Sequence, residues 1–285
     1  MQLLDGKALA KKIEENVTIE AKELKKNTGR VPGLAVLLVG HDPASQAYVG
    51  MKKKACDRAG FYSVTHEMPE DISQEAIVKT IEMMNLNPNI DGILIQLPLP
   101  SHIDTTKILE IVAPSKDVDG FHPYNVGRLA TGLDGFVPCT PLGVMKLLAE
   151  YHIDPKGMNA VIVGASNIVG KPMAALLLNA FSTVTITHIH TRDLAAHTRE
   201  ADILLVGAGV INLIKEDMVK PDAIVIDIGI NRTPDGRLVG DVDYDAVAPK
   251  SSYITPVPGG VGPMTIAMLL ANTLKAAQNH AKEER

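Results

Sequence analysis

The sequence has little cysteine and no excess of positive charge, and each shortage excludes a class of protein. The two cysteines, Cys56 and Cys139, lie far apart and form no CxxC pair, which excludes a disulfide framework and a cysteine zinc site. Lysine and arginine number 28 against 33 acidic residues, a net charge of -5. Such a chain has no positive field with which to hold a nucleic acid.

Long apolar runs and internal repeats are also missing. No apolar stretch approaches the roughly 20 residues that a membrane span needs. Together with the unpaired cysteines, this predicts a soluble, cytoplasmic protein in a reducing compartment, with neither a membrane nor a nucleic acid as its partner. We expect a small molecule as its ligand.

The apolar residues that are present alternate between short strands and amphipathic helices. After a helical pattern over residues 7–26, the first half has strands at 34–39 and 92–97, with helix-like stretches at 45–59 and 74–85. The strands are continuously apolar, which is typical of a parallel sheet covered by helices on both faces. The pattern predicts an α/β fold.

A second alternating series follows a stretch rich in Gly, Pro and Asp at residues 113–141. It comprises strands at 160–163, 184–188, 203–206 and 223–228, and helices at 168–180, near Ala195 and at 264–278. Thr140 is predicted to cap the first helix after the irregular stretch, with Pro141 in its first turn.

The irregular stretch suggests two α/β domains with a cleft between them. We predict a first domain over residues 1–139, joined by the C-terminal helix at about 266–285. The second, over residues 140–265, is predicted to be a Rossmann-like domain with a parallel sheet that binds a dinucleotide.

The turn that begins at Gly164 is the candidate for binding a pyrophosphate. It runs from an apolar strand into a helix, whose N-terminal N–H groups attract an anion. The usual GxGxxG spacing is replaced by Gly164, Ser166 and Gly170, so a tight turn without a ligand is the alternative. Further glycines follow later strands: Gly207, Gly209 and Gly229. They either contact a ligand at the carboxyl edge of the sheet or are ordinary turn residues.

The end of the second strand of this series bears on the choice of cofactor. Residues 187–192 include His188, Ile189 and Arg192, and have no acid where an NAD enzyme would hold the ribose 2′-hydroxyl. Polar and cationic groups suit a 2′-phosphate, which favours NADP. Asp193 is close enough to hold a ribose 2′-hydroxyl, so NAD is the alternative cofactor.

In the first half, Asp42-Pro43 predicts the start of a helix. Tyr48 and Lys52 are then an i, i+4 pair on one face. A lysine in a partly closed apolar cleft loses its proton more easily and can act as a base, with the phenol alongside to orient or relay. The alternative is a solvated run of lysines.

Two further polar residues are candidates for this first-half site. Gln96 follows an apolar strand at the ligand edge, where it either meets a ligand or caps the backbone. Asp119 lies in a segment similar to a calcium loop, but with Gly120 at the sixth position the twelfth falls on Val126, so we expect no metal. Asp119 either accepts hydrogen bonds from an amino-pyrimidine or forms a turn.

Six ordered segments together resemble the methylenetetrahydrofolate dehydrogenase/cyclohydrolase family, the FolD-type enzymes of one-carbon metabolism. The likeness spans nearly the whole chain: PASQAYVGMK at 43–52, DGILIQLPLP at 91–100, KDVDG at 116–120, PCTP at 138–141, GASNIVGKP at 164–172 and TPVPGGVGPMT at 255–265. Six segments in order are far more specific than one motif.

The resemblance implies catalytic roles for four residues. Lys52 is the catalytic lysine, Tyr48 packs and orients the folate, Gln96 tunes Lys52, and Asp119 anchors the pterin. Besides Tyr48, Gln96 and Asp119, the implied folate contacts are Leu97, Pro98, Pro258, Gly259 and Pro263. The implied cofactor contacts, with His188, Ile189 and Gly229 added from the strand ends, are Gly164, Ala165, Ser166, Ile230 and Thr265.

The implied activity is the NADP-dependent oxidation of methylenetetrahydrofolate, followed by hydrolysis to 10-formyltetrahydrofolate for purine biosynthesis, in a homodimer joined through the nucleotide domain. Ala165 departs from the family, because many relatives have an arginine there that can meet the 2′-phosphate. The alternatives are a dehydrogenase-only folate enzyme, a different two-domain NADP oxidoreductase acting on a small keto acid, and a non-enzymatic Rossmann-like nucleotide sensor.

Overall fold

The computed structural model describes residues 1–283, which divide into two compact units. The three-stranded unit comprises residues 11–128, 134–139 and the chain from Ile266 onward. The six-stranded unit comprises residues 1–10, 129–133 and 140–265.

In chain order, the strands are β1 (Gln2–Leu3), β2 (Gly33–Val39), β3 (Tyr62–Met68), β4 (Gly92–Ile95), β5 (Asn159–Val163), β6 (Thr183–Thr187), β7 (Ile203–Val206), β8 (Ile224–Asp227), β9 (Asn231–Arg232), β10 (Leu238–Val239) and β11 (Tyr253–Ile254). The helices are α1 (Gly6–Thr28), α2 (Pro43–Ala59), α3 (Gln74–Leu86), α4 (Thr105–Ile111), α5 (Pro123–Ala130), α6 (Cys139–Glu150), α7 (Gly170–Asn179), α8 (Leu194–Thr198), α9 (Tyr244–Val247) and α10 (Val261–Glu283).

The three-stranded unit is built on a parallel sheet of order β3-β2-β4. Every residue of β2 and β4 is buried, as their continuous apolar sequences predict. Side chains of β2 and β4 pack with Ile77 and Ile81 of α3 and with Ile108 of α4 in one hydrophobic cluster. The predicted α/β class and the parallel pairing are therefore confirmed for this unit.

The edge strand β3 was not predicted from the sequence. It pairs with β2 along its whole length, from Tyr62 opposite Gly33 to Met68 opposite Val39. It is the edge strand of its sheet, and its residues are half-buried or exposed throughout. Its mixed polar and apolar sequence therefore lacks the continuous apolar run that identified β2 and β4.

The six-stranded unit has a sheet of order β1-β11-β8-β7-β5-β6, in which every pairing is parallel. Strands β7 and β8 are fully buried, and side chains from β5, β7 and β8 form one hydrophobic cluster. This confirms the predicted Rossmann-like architecture with a parallel sheet. The short strands β9 and β10 pair with each other, antiparallel.

Three local predictions differ from the structure. Helix α6 begins at Cys139, so Thr140 is inside it and does not cap it; the Thr140 hydroxyl instead lies 2.8 Å from the Thr265 hydroxyl. The irregular stretch contains α5 and crosses between the units more than once. Residues 1–10 lie in the six-stranded unit and not with the first domain, because β1 pairs with β11.

Among residues 1–283, no helix combines the length and the apolar character required to cross a membrane.

A buried ion cluster joins three parts of the three-stranded unit next to the start of β4. Both Nε and Nη2 of Arg30 donate to Oδ1 of Asp91, at 2.9 and 2.7 Å, and His280 Nδ1 lies 2.9 Å from the same oxygen. The other carboxylate oxygen accepts the Gly33 N–H at 2.9 Å. Burial alone raises the pKa of Asp91, but the hydrogen bonds from His280, Arg30 and Gly33 outweigh it and hold the pKa below its ordinary value.

We expect Asp91→Asn to destabilise the protein by about 3 kcal/mol near neutral pH, because it leaves the half-buried Arg30 charge without its buried anion. A lowered folded-state pKa means that the stabilisation is present above the ordinary aspartate pKa and disappears as the pH falls through the folded value. The difference between wild type and variant should therefore shrink below about pH 4.

Chemical denaturation across this pH range measures the effect, with the exposed Asp71→Asn as the control. A difference between wild type and Asp91→Asn that stays constant with pH would show that the ionised carboxylate does not stabilise the fold.

Candidate functional site

The helix that carries Tyr48 and Lys52 begins where the sequence predicts. The Asp42 side chain caps α2 by accepting the Ser45 N–H at 2.8 Å, and Pro43 occupies the first turn. The side chain of Lys52 is half-buried, whereas those of Lys53 and Lys54 are exposed. The structure therefore distinguishes Lys52 from its neighbours in the lysine run. Tyr48 lies one turn earlier and is 36% exposed.

Lys52 is held by the side chain that follows β4. Its Nζ donates to Gln96 Oε1 at 3.0 Å, and Gln96 Nε2 donates to the carbonyl oxygen of Leu97 at 2.8 Å. The second hydrogen bond fixes which end of the amide faces the lysine, because only the oxygen can accept from an ammonium. Leu97 is half-buried and Pro98 is exposed.

Asp119 lies close enough to Lys52 for the ammonium to act on its ionisation. Desolvation raises the pKa of the Asp119 carboxyl to about 6, against the lowering effect of Lys52; the negative charge of Asp117 raises it further. Its Oδ1 lies 3.6 Å from the Cys139 thiol, which is a weak donor. Asp119 therefore keeps acceptor capacity for another group.

The neighbouring Asp117 has a different, structural role. Its carboxylate accepts the N–H groups of Phe121 and His122 and the side-chain amide of Asn125, at 3.1, 2.9 and 2.8 Å. Gly120 has φ of +70°, and a Cβ there would come within 2.7 Å of the Pro138 nitrogen. The two aspartates of the KDVDG segment thus have different roles. Asp117 stabilises the turn, and the turn positions the Asp119 carboxyl, which can accept from another group.

The three-stranded unit therefore brings Lys52, Gln96 and Asp119 together, with Tyr48 on the same helix face as Lys52. The other predicted folate contacts, Pro258, Gly259 and Pro263, belong to the six-stranded unit. There the Gly259 carbonyl accepts the Lys7 N–H at 2.9 Å, which ties the loop to the start of α1.

In the six-stranded unit, the predicted phosphate turn connects β5 to α7. Gly164 has φ of +115°, and a Cβ there would lie 2.3 Å from the Gly207 oxygen. A Cβ on Gly170 would lie 1.9 Å from the Gly164 oxygen, so both glycines are required for the strand, turn and helix to pack this closely.

This turn offers the donors that an anion needs. Ser166 Oγ accepts the N–H groups of Val169 and Gly170 at 3.1 and 3.3 Å. Within residues 1–283, no hydrogen bond uses the backbone N–H groups of residues 165–168. These free N–H groups lie in the turn just before the ten-residue helix α7, where a phosphate can accept from them, and the small Ala165 among them is half-buried.

The segment after β6 is exposed at His188, Ile189 and Arg192. The Nδ1 of His188 accepts the His190 N–H at 3.2 Å, which places the proton of the neutral ring on Nε2. The Asp193 carboxylate caps α8 by accepting the Ala196 N–H at 3.1 Å. Asp193 is thus engaged by its own helix, which weakens the case for it as the acid that would hold an NAD ribose.

Sequence reasoning missed two buried aspartates at the carboxyl ends of this sheet. Asp227 is the last residue of β8 and is 3% exposed, and Asp241 is fully buried. Desolvation raises the pKa of Asp227 to about 6, despite three backbone N–H groups that donate to it. The available signal was an acid directly after the apolar run Ile224-Val225-Ile226.

No group of three or more His, Cys, Asp or Glu side chains that could hold a metal ion occurs in the described part of the chain.

Two family models match consecutive parts of the chain. The family model described as the tetrahydrofolate dehydrogenase/cyclohydrolase catalytic domain matches residues 4–119. The model described as the NAD(P)-binding domain of the same family matches residues 138–281.

Individual relatives are similar over nearly their full lengths. The bifunctional protein FolD of Sulfurimonas denitrificans is 77% identical and covers 99% of both chains. The crystal structure of the bifunctional enzyme FolD from Campylobacter jejuni is 57% identical, has a TM-score of 0.96 and covers 98% of this chain and 99% of its own. That of the Trypanosoma brucei FolD, complexed with NADP cofactor and inhibitor, is 39% identical, has a TM-score of 0.93 and covers 97% of both. The chain therefore belongs to the tetrahydrofolate dehydrogenase/cyclohydrolase family.

Proposed function

We propose that this protein is a bifunctional folate enzyme, which oxidises methylenetetrahydrofolate with NADP and hydrolyses the resulting methenyltetrahydrofolate to 10-formyltetrahydrofolate. The observation that carries the proposal is the hydrogen bond from Lys52 to Gln96 beside Asp119, in a chain whose residues 138–281 match the family's NAD(P)-binding domain. The three-stranded unit is proposed as the folate-binding catalytic domain and the six-stranded unit as the NADP-binding domain.

In the first step, bound NADP would accept a hydride from the methylene carbon of the substrate at nicotinamide C4. The protein's contribution is alignment more than acid or base chemistry. We assign cofactor binding to the turn of Gly164, Ala165 and Ser166 and to the further residues His188, Ile189, Gly229, Ile230 and Thr265. The free N–H groups at residues 165–168 support this assignment.

Preference for NADP over NAD is supported by the groups after β6. The Nε2–H of His188 is an exposed donor, and Arg192 adds a permanent charge, so both suit a 2′-phosphate. The nearby acid, Asp193, is committed to capping α8. These groups offset the absence of an arginine at Ala165.

In the second step, water adds to the methenyl carbon and the ring opens as one carbon–nitrogen bond breaks. Lys52 assists the proton transfers, and Gln96 orients its ammonium through the 3.0 Å hydrogen bond. Asp119 accepts from the amino-pyrimidine side of the pterin, and Tyr48 packs against it. Leu97, Pro98, Pro258, Gly259 and Pro263 complete the proposed folate surface.

The alternatives differ in what they leave unexplained. A dehydrogenase-only enzyme has no use for a lysine whose head group is oriented by a dedicated amide. A non-enzymatic nucleotide sensor has no use for the whole group of Lys52, Gln96 and Asp119. The bifunctional assignment uses both features.

A homodimer formed through the six-stranded unit is part of the proposal. Strand β6 is the edge of its sheet, and three large apolar side chains near it are exposed: Leu178 at 62%, Phe181 at 74% and Ile186 at 38%. An edge strand with exposed apolar side chains beside it favours association, and a second copy would cover both. We also propose a cytoplasmic location, supported by the free thiols of Cys56 and Cys139; cell fractionation tests it.

The activity is tested by mixing purified protein with methylenetetrahydrofolate and NADP, and separately with NAD, while following reduced nicotinamide and the methenyl intermediate in one absorbance trace. We expect NADPH with little accumulation of methenyltetrahydrofolate, and faster hydrolysis of added methenyltetrahydrofolate than in buffer. Accumulating intermediate would favour the dehydrogenase-only alternative. No turnover with either cofactor by folded protein would contradict the folate assignment.

In the same assay, Lys52→Met should reduce the cyclohydrolase rate by at least about a hundredfold, because it removes the proton-transfer group, and should leave measurable dehydrogenase. Lys53→Met is the matched control, since that lysine is the exposed neighbour on the same helix. It should retain both activities. Equal loss of both activities in a folded Lys52→Met variant would contradict this division of labour.

The raised pKa of Asp119 predicts a pH dependence of folate binding. As the pH falls through about 6, the carboxylate takes up a proton and loses acceptor capacity, so the KM for folate should rise. Asp119→Asn should raise this KM about tenfold at neutral pH and flatten its dependence near pH 6. Parallel pH profiles of wild type and variant would exclude Asp119 as the titrating group.

Light scattering after size-exclusion chromatography tests the dimer. Wild-type protein should have twice the chain mass, and Leu178→Glu should shift it towards the monomer by placing charge in the apolar patch. Leu86→Glu, which changes an 84% exposed leucine at the end of α3, should remain dimeric. A monomeric wild type would refute the proposed dimer.

A further inference from the structure

Asp241 has no exposed surface and lies beneath the ligand edge of the six-stranded unit. Its Oδ2 accepts the successive N–H groups of Ala208 and Gly209, at 2.6 and 2.8 Å. Its Oδ1 accepts the side-chain amide of Asn231 at 2.7 Å. One carboxylate therefore connects the loop after β7 with the segment after β8.

Asp227 holds Asp241 in place. Its Oδ1 accepts the N–H groups of Gly229 and Asp241 at 2.9 and 3.0 Å, and its Oδ2 accepts the Val242 N–H at 2.9 Å. Because Asp227 is the last residue of β8, these hydrogen bonds fix the returning chain to the end of a core strand. The two aspartates form a continuous connection from β8 to the loop after β7.

The backbone around the pair is shaped to admit the carboxylates. A Cβ on Gly229 would lie 2.3 Å from Asp241 Cγ, and a Cβ on Gly240 would lie 1.8 Å from Asp227 Oδ2. Close approach to these acids therefore accounts for Gly229 and Gly240 as glycines without any ligand. Gly229 has a structural reason to be glycine besides its proposed place in the cofactor site.

Burying two acids this close is costly. Desolvation raises the pKa of Asp227 to about 6, and the charge of Asp241 raises it too. Apolar residues would fill such a space at a lower cost in stability. The carboxylate of Asp241 accepts hydrogen bonds from three donors on two loops and thereby fixes the relative positions of those loops, which an apolar side chain could not do.

We propose that Asp241 is a positioning residue for the nucleotide: it does not touch the cofactor, but sets the spacing between Ala208–Gly209 and the Gly229–Asn231 segment. Ile230, between Gly229 and Asn231, is 44% exposed and is one of the proposed cofactor contacts. The inference rests on the proposed use of this edge for NADP. It assigns no role to Asp241 in folate binding or in the hydrolytic step.

The test compares Asp241→Ala with Asp241→Asn and with Asp217→Ala, which changes an exposed acid of the same unit whose side chain is 78% accessible. NADPH binding without folate is measured by calorimetry. The KM values for NADP and folate, and the cyclohydrolase rate without cofactor, are measured alongside. The cofactor-free hydrolysis reports whether a variant has lost more than nucleotide binding.

We expect Asp241→Ala to weaken NADPH binding and to raise the KM for NADP by about tenfold or more, because three hydrogen bonds to a buried charge are lost. The folate KM and the cyclohydrolase rate should stay within about twofold. Asp241→Asn should recover part of the affinity. Its remaining oxygen can still accept from Ala208 and Gly209 while the Asn231 amide rotates to accept from the new amide.

Unchanged NADPH affinity in folded Asp241→Ala would overturn the proposal, as would a matching loss of cyclohydrolase activity, which would indicate general destabilisation. If Asp241→Ala does not fold, Asn231→Ala removes one of the three hydrogen bonds and should weaken NADPH binding in the same direction; no change there also refutes it. A wild type that binds NADPH but turns over no folate would refute the proposed function. The role of Asp241 in NADPH binding could still be tested by calorimetry. A wild type that binds no NADPH would refute both.

Discussion

Parallel strand pairing is the constraint on which the rest of this structure depends. Within each of the two sheets all strands are parallel, so the carboxyl ends of its strands gather at one edge of that sheet. The side chains of the strands are packed in the apolar core, so the polar groups that can meet a ligand lie at the strand ends and in the loops after them. Gln96 after β4, Gly164 after β5 and Asp227 at the end of β8 all follow from this arrangement.

At these edges, backbone segments and side chains approach one another more closely than a Cβ would permit. Gly164 and Gly170 let β5, its turn and α7 pack together, while Gly229 and Gly240 make room for buried carboxylates. The same residue type thus serves two purposes in one unit, packing of the fold and accommodation of charge. A substitution at any of the four would force the backbone to move.

Most of the ionisable side chains described above are matched by specific partners. Arg30 neutralises Asp91 next to the start of β4, three backbone N–H groups solvate Asp227, and Lys52 meets the oxygen of Gln96. Asp119 is the exception: within residues 1–283 its hydrogen-bond donor is a thiol alone, and its pKa is raised to about 6. An acid left with spare acceptor capacity near an oriented lysine is the arrangement expected where a polar substrate supplies the missing partners.

By itself, the sequence determined the features that depend on local chain geometry, such as helix starts and helix faces, and the strands whose residues are all apolar and buried. The Asp42-Pro43 start of α2, the pairing of Tyr48 with Lys52, and strands such as β2 and β7 follow from helix capping, helical period and apolar runs. Only the tertiary structure decided that β3 pairs as an edge strand, that β1 joins β11, and that Thr140 lies inside a helix. It also decided that Lys52 meets Gln96 and that Asp241 reaches Ala208, contacts between residues 44 and 33 positions apart. Such contacts are set by which strands become neighbours in the sheet, and no local pattern records that choice.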